Sequence, residues 1–344
     1  MSKSFKLHKI KIPIPIPALK HVNSYLIDFG EELLIIDTGT PVDFTTKALF
    51  DSIEELGYKL SEITKIFVTH MHVDHIGNVP FIQDLSNAPL YMNKDEYEFV
   101  KYFILSPEIS LKDLENIFYK NGVPKDEISY IIKKHPALSK RNKYKMIKNV
   151  KFVNDGELIK IGETTLRIIE TPGHSPHHIC IYLEEEKLLF TGDHVLPDIT
   201  PNIRLPIGEE DPLEEYLQSL KKVENLDVEE YFPAHRDPDK SLSERVKELK
   251  IHHFERLLEV GDILSDNWIT AFETASKMDW DVKIDWRDFP PSQKFFAIGE
   301  ALAHIIYLVN KGFVKMKDCN GLYRFKITTG KSHLENALKQ LIFG

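Results

Sequence analysis

A chain of 344 residues is long enough for two domains and a large core, and 42% hydrophobic with 28% charged residues is the balance of an ordinary soluble globular protein. The formal net charge of −9 supplies no general attraction for nucleic acid, and no apolar run approaches the length of a membrane span. The opening Met1-Ser2-Lys3-Ser4-Phe5-Lys6 lacks the apolar core of a signal peptide, and Cys180 and Cys319 are too few and too far apart for a disulfide framework or a cysteine metal site, so a reduced, cytoplasmic setting is expected.

In chain order, residues 10–17 alternate Ile or Lys with Pro, which suits an edge strand or an extended arm because proline cannot donate to a ladder. Val22 to Phe29 and Leu33 to Asp37 read as two strands around a turn at Gly30-Glu31. Phe44 to Leu56 has helical apolar spacing and stops near Gly57. Ile63 to Val68 is apolar and β-branched, the texture of a buried strand, and Val79 to Leu85 follows as a short helix.

Residues 94–148 differ in texture, being rich in Lys, Glu and Tyr and punctuated by Pro107, Pro124 and Pro136; they read as an insertion of several short helices. Its second half is basic: Lys133, Lys134, Lys140, Arg141, Lys143, Lys145, Lys148 and Lys151 occur with no acid between Glu127 and Asp155. Such a run is either a solvated face or an anion-attracting rim. Strand texture returns in Phe152-Val153, Leu158 to Ile161, Leu166 to Glu170, Ile179 to Leu183 and Leu188 to Phe190, with Cys180 expected as a buried strand thiol. Leu213 to Val223 is an amphipathic helix and Val228 to Phe232 a strand. The order strand, strand, acid, helix, strand, His occurs twice, around Leu33 to His70 and Leu188 to His235, which suggests a duplicated unit with two facing sheets.

Beyond Asp239 the pattern is helical: Ser241 to Val260, Asn267 to Met278 and Ser292 to Asn310. Phe313 to Asp318 and Leu322 to Ile327 flank Asn320-Gly321, a strong hairpin signal, and an amphipathic helix closes the chain from Lys331 to Phe343. Helix, helix, hairpin is the pattern of a winged helix. Between Gly261 and Asn310, however, eight acids outnumber four bases and Ser292 to Asn310 is apolar, so duplex DNA is not the expected partner and a pocket wall or homodimer surface is.

The chemistry is concentrated in Thr69-His70-Met71-His72-Val73-Asp74-His75, where four metal-capable side chains fall within six residues at the end of a predicted strand. In extended chain alternate side chains point the same way, so His70 and His72 can grip one ion, while Asp74 and His75 break the alternation and can turn to a second. Three further candidates stand at predicted strand ends: His174 after Thr171-Pro172-Gly173, Asp193 after Thr191-Gly192, and His235 after Pro233-Ala234. His177, His178 and His194 lie close by, and the Pro-rich loop Val195 to Asn202 is placed to shape an entrance.

This ordered set resembles the metallo-β-lactamase fold superfamily of metal-dependent hydrolases over about residues 7–240. The resemblance implies an α+β fold, an αββα sandwich with its site at one edge of the two sheets. It assigns His70, His72 and His174 to a first metal, Asp74, His75 and His235 to a second, and Asp193 to both, with Asp37 of Asp37-Thr38-Gly39 in support. The expected organisation is a hydrolase domain at 1–240, with the helical insertion, and a winged-helix-like domain at 241–344 like that attached to one branch of the superfamily. The expected cofactor is a pair of zinc ions, though iron or manganese also suits an all-His/Asp set. The implied chemistry is hydrolysis of an ester, thioester, lactone or phosphodiester by a water whose pKa the metals lower to about 7, with Asp74 orienting it and passing its proton to the leaving group. The substrate is then a small or anionic molecule, RNA included; an iron-dependent oxidoreductase on the same fold and an RNA-processing nuclease are the competing readings.

Overall fold

The computed structural model describes residues 5–15, 19–105, 107–134, 147–206, 210–265, 267–282 and 284–344. Lys140, Arg141, Lys143 and Lys145 of the basic run lie outside the described residues. The chain forms two compact units, one from Met1–Lys101, Lys143–Pro201 and Ser219–Val246, the other from Tyr102–Asn142, Asn202–Gln218 and Lys247–Gly344. The second unit therefore draws on part of the stretch read as an insertion as well as on the C-terminal region. Among the described residues no helix is long and apolar enough to cross a membrane.

In the first unit, β1 (Lys6–Pro13), β2 (His21–Asp28), β3 (Leu33–Ile36), β4 (Ile63–Phe67), β5 (Leu90–Asn93) and β6 (Val150–Val153) form one sheet in that spatial order. The proline-alternating segment is its edge strand, with Ile10 and Ile12 buried while Lys9 and Lys11 face out to pair with Asp237. A second sheet has the order β11-β10-β9-β8-β7, from β7 (Leu158–Ile161), β8 (Thr164–Glu170), β9 (Ile179–Leu183), β10 (Leu188–Gly192) and β11 (Glu230–Pro233). The sheets bury one shared core: Tyr25, Ile27, Leu34, Ile36 and Phe67 from the first, Leu166, Ile168, Ile181 and Phe190 from the second. Strands β3, β9 and β10 are buried at every residue, as expected of strands covered on both faces. Helix Asp43–Glu55 buries Thr45, Leu49 and Ile53, one turn apart, so a single stripe of it faces inward.

The internal echo is visible in the pairing. Strand β3 is antiparallel to β2 and parallel to β4; β10 is antiparallel to β9 and parallel to β11. Both parallel ladders carry a register shift. Backbone bonds tie the sheets together where these strands end, Ile179 N to Thr69 O at 2.9 Å and Asn23 N to Ala234 O at 2.6 Å.

In the second unit, helices Pro107–Lys120 and Lys125–Lys134, helix Pro291–Asn310 and the closing helix Lys331–Phe343 accompany a hairpin of β12 (Val314–Cys319) and β13 (Leu322–Ile327). Asn320 and Gly321 have φ of 57° and 84°, the left-handed pair that a two-residue hairpin turn demands. Helix Pro291–Asn310 is buried through most of its length, including Lys294, whose ammonium donates to Glu127 at 2.8 Å. One element is much shorter than expected. The helix read at Asn267 to Met278 is only Ala271–Ala275, because Ile269 pairs with Phe325 of β13 and Thr270 then caps the helix through a reciprocal bond with Glu273.

Ile181 lies at 0% exposure in the inter-sheet core. Ile181→Ala is expected to cost about 2–5 kcal/mol, read as a lower urea midpoint with the slope of the transition unchanged.

Candidate metal centre

The candidate ligands all leave the C-terminal ends of strands. After β4 the chain bends through Thr69, His70 and Met71, and then Val73–Ile76 makes a single helical turn. That turn is what redirects Asp74 and His75 away from His70 and His72. His174 follows β8, Asp193 follows β10 and His235 follows β11.

Two clusters result. His70, His72, His174 and Asp193 form one, and Asp74, His75 and His235 form another, with the ligand atoms in each within 4.8 Å of one another. In the first, His72 Nδ1 lies 2.9 Å from His70 Nε2 and 3.1 Å from His174 Nε2. In the second, Asp74 Oδ2 lies 3.4 Å from His235 Nε2 and 3.8 Å from His75 Nε2. Asp193 stands between them: its Oδ2 is 3.6 Å from His174 Nε2, while its Oδ1 is 3.6 Å from His75 Nε2 and 3.5 Å from His235 Nε2. The structure thus brings together all seven residues singled out from the sequence.

Each inward atom is aimed by what its other end touches. Asp37 Oδ2 accepts from His75 Nδ1 at 2.8 Å, which leaves Nε2 facing the cluster. The carbonyl of His21 does the same for His235 Nδ1 at 2.7 Å. Asp37 also accepts from Thr69 N at 2.9 Å and from the Thr69 hydroxyl, which lies 3.1 Å from His70 Nδ1. To make these bonds Asp37 takes φ of 57°, a conformation that Asp tolerates better than most residues. Gly192, the last residue of β10, has φ of 50°, and a Cβ there would sit 2.5 Å from His178 Nε2 and 2.7 Å from Thr69 Oγ1.

Glu96 has no signal in the sequence beyond its place in the first turn of helix Lys94–Leu105, opened by the Asn93 side chain. It is 1% exposed, and its two oxygens accept from Met71 N and His177 N, both at 2.8 Å. One carboxylate therefore clamps the His70–His72 loop to the His174–His178 loop. His178 is fully buried, held by Thr171 Oγ1 at 2.8 Å and accepting from Asp193 N at 3.2 Å. His177 turns outward to Glu170, and His194 is fully buried.

Burial, joined by the neighbouring His174, lowers the pKa of His72 to about 3, so its imidazole is neutral at pH 7. Burial alone would raise Asp74, but His75 and His235 outweigh it and hold the carboxyl at about 2. The same contest leaves Asp193 well below the usual carboxylate range. Against their burial, Asp37, Asp193 and Asp74 raise the pKa of His75, and Asp193 and Asp74 that of His235, so a bound cation would displace protons there; neutral imidazoles and ionised carboxylates are the forms that ligate it. His75 Nε2, His235 Nε2 and Asp193 Oδ1 are buried with no hydrogen-bond partner. Ligands at about 2.0–2.2 Å around a tetrahedral ion stand about 3.4 Å apart, the spacing seen across the second cluster. The residues fit metal ions.

Glu96→Gln would put an amide N–H against one of two backbone N–H groups. It is expected to cost about 1–3 kcal/mol, measured as a drop in urea midpoint relative to the parent chain.

The profile of the metallo-beta-lactamase superfamily matches residues 18–235, and that of the metallo-beta-lactamase-like C-terminal domain matches residues 283–328. A beta-lactamase-like protein 2 homolog of Caenorhabditis elegans is 26% identical over 76% of this chain and 71% of its own. An atrochrysone carboxyl ACP thioesterase of Aspergillus fumigatus is 28% identical over 67% of this chain and 55% of its own. A metallo-beta-lactamase family protein of Thermus thermophilus, known from its crystal structure, superposes with a TM-score of 0.80 at 29% identity, covering 94% of this chain and 98% of that one.

Proposed function

The chain belongs to the metallo-beta-lactamase superfamily, whose members are metal-dependent hydrolases, and we propose that it hydrolyses an acyl substrate, a thioester foremost, at a binuclear metal centre. The observation that carries this reading is the placement of Asp193, with one carboxylate oxygen toward each cluster. His70, His72 and His174 would hold the first ion and Asp74, His75 and His235 the second, with Asp193 shared between them. Zinc suits this nitrogen and oxygen set best. Two such ions would supply a water of pKa about 7 and a Lewis acid for the carbonyl oxygen.

The protein's own groups do the rest. Asp37 and the His21 carbonyl keep His75 and His235 in one tautomer, Glu96 fixes the separation of the two histidine loops, and Asp74 is placed to orient the attacking water and to carry its proton toward the leaving group. The thioester class is favoured by the thioesterase among the relatives. For the C-terminal region we propose a winged-helix-like arrangement that presents no reading helix to duplex DNA, supported by the burial of Ala297 to Ile305 along helix Pro291–Asn310.

Purified protein is expected to carry close to two zinc ions per chain at this centre, and His72→Ala and Asp193→Ala to lose hydrolysis by at least about 10³-fold; full turnover by metal-stripped protein would end the reading. Among aryl thioester, lactone, phosphodiester and β-lactam substrates, the thioester is expected to have the highest kcat/KM. A phosphodiester at the head of that series would replace the acyl reading, and iron in place of zinc would reopen oxidoreductase chemistry.

A further inference from the structure

A second group of candidate donors stands in the second unit. His252 and His253 lie on helix Leu242–Ile263 and Glu300 on helix Pro291–Asn310, and one ligand atom from each falls within 4.8 Å of the others. His252 Nε2 is 3.9 Å from Glu300 Oε1. We propose that His252, His253 and Glu300 form a separate divalent-metal site of the zinc class, with His304 as the residue that sets the tautomer of His253.

The hydrogen bonds supply the direction. His304 Nδ1 lies 2.7 Å from the carbonyl of Glu300, which can only accept, so the Nδ1 proton is donated there and His304 Nε2 carries a lone pair. That lone pair lies 3.1 Å from His253 Nδ1, which must then be the donor. His253 is left with a bare Nε2, fully buried and with no hydrogen-bond partner. A metal-bound histidine typically has its other ring nitrogen donating in this way. His252 Nε2 is also buried without a partner, and Glu300 is 8% exposed. Two imidazoles and one carboxylate are a known three-ligand zinc set with a fourth position open. Arg256 Nη1 donates to Glu259 at 2.7 Å and to the carbonyl of Asp279 at 2.5 Å, while its buried Nε has no hydrogen-bond partner.

The other reading of this cluster is a buried polar network with no ion, and metal counting separates the two. The full chain, Glu300→Gln and His252→Ala are each loaded with zinc, dialysed and analysed for bound metal per folded chain, with cobalt substitution as the spectroscopic check. The expected result is one fewer equivalent in each variant than in the parent chain, the loss of one cobalt absorption band, and thioester turnover unchanged. Equal zinc in parent and variants would overturn the site. Because the reading is a difference, it does not depend on how many ions the centre at Asp193 holds. His252→Ala removes the most exposed of the three ligands and so tests the site even where Glu300→Gln disturbs the packing.

Discussion

The edge of the sandwich is governed by an electrostatic constraint: more lone pairs and negative charge are buried there than the chain's own protons can satisfy. Asp37, Asp74 and Asp193 are 6% exposed or less, and five histidines crowd the same space. Uncompensated burial of such groups costs several kcal/mol each. Asp37 is compensated within the protein by Thr69 and His75. Asp193 is held ionised against its burial by His235 and His75, yet its Oδ1 has no hydrogen-bond partner. Cations held there would meet these lone pairs directly, so that metal binding would be coupled to the stability of this edge.

That constraint explains the local backbone. The acid ending β3 and the glycine before the acid ending β10 both adopt left-handed φ, because only then can the following residues turn into the shared space. The duplicated pairing, β2-β3-β4 and β9-β10-β11, delivers one such strand end from each sheet. Neither repeat has a full site alone: the first contributes His70 to His75 and the second contributes Asp193 and His235. The centre thus depends on the inter-sheet core packed behind it, and on the two bonds, Ile179 N to Thr69 O and Asn23 N to Ala234 O, that close the edge.

Much of this was legible in the chain because the signals are local. Four ligands in six residues need no fold to be noticed, and strand ends before His174, Asp193 and His235 follow from short apolar runs bounded by Pro and Gly. The residues that went unread act at long range. Glu96 is an ordinary acid in a helical first turn, and its meaning comes from two backbone amides, 25 and 81 positions away. The helix expected at Asn267 to Met278 was shortened by a contact with Phe325, a tertiary override of propensity. The cluster at His252 and His253 gave no motif, because its partners Glu300 and His304 come from another helix and no spacing in one segment announces them.

The acid–base balance of the centre bears on its substrate. With His75 and His235 beside it, Asp74 stays ionised down to about pH 2 despite its burial. A carboxyl that acidic holds a proton poorly, so it can orient a water and relay a proton but is a weak general acid. The leaving groups differ in how much they ask of it. A thiolate, of pKa about 8.5 when it resembles a cysteine side chain, departs with little protonation, whereas an alkoxide, with a conjugate acid nearer the 15.7 of water, must be protonated or held by a cation. Under the proposed thioester reading, the Asp74 carboxylate between two imidazoles would be asked for little protonation of the leaving group, whereas an ester would ask more of it.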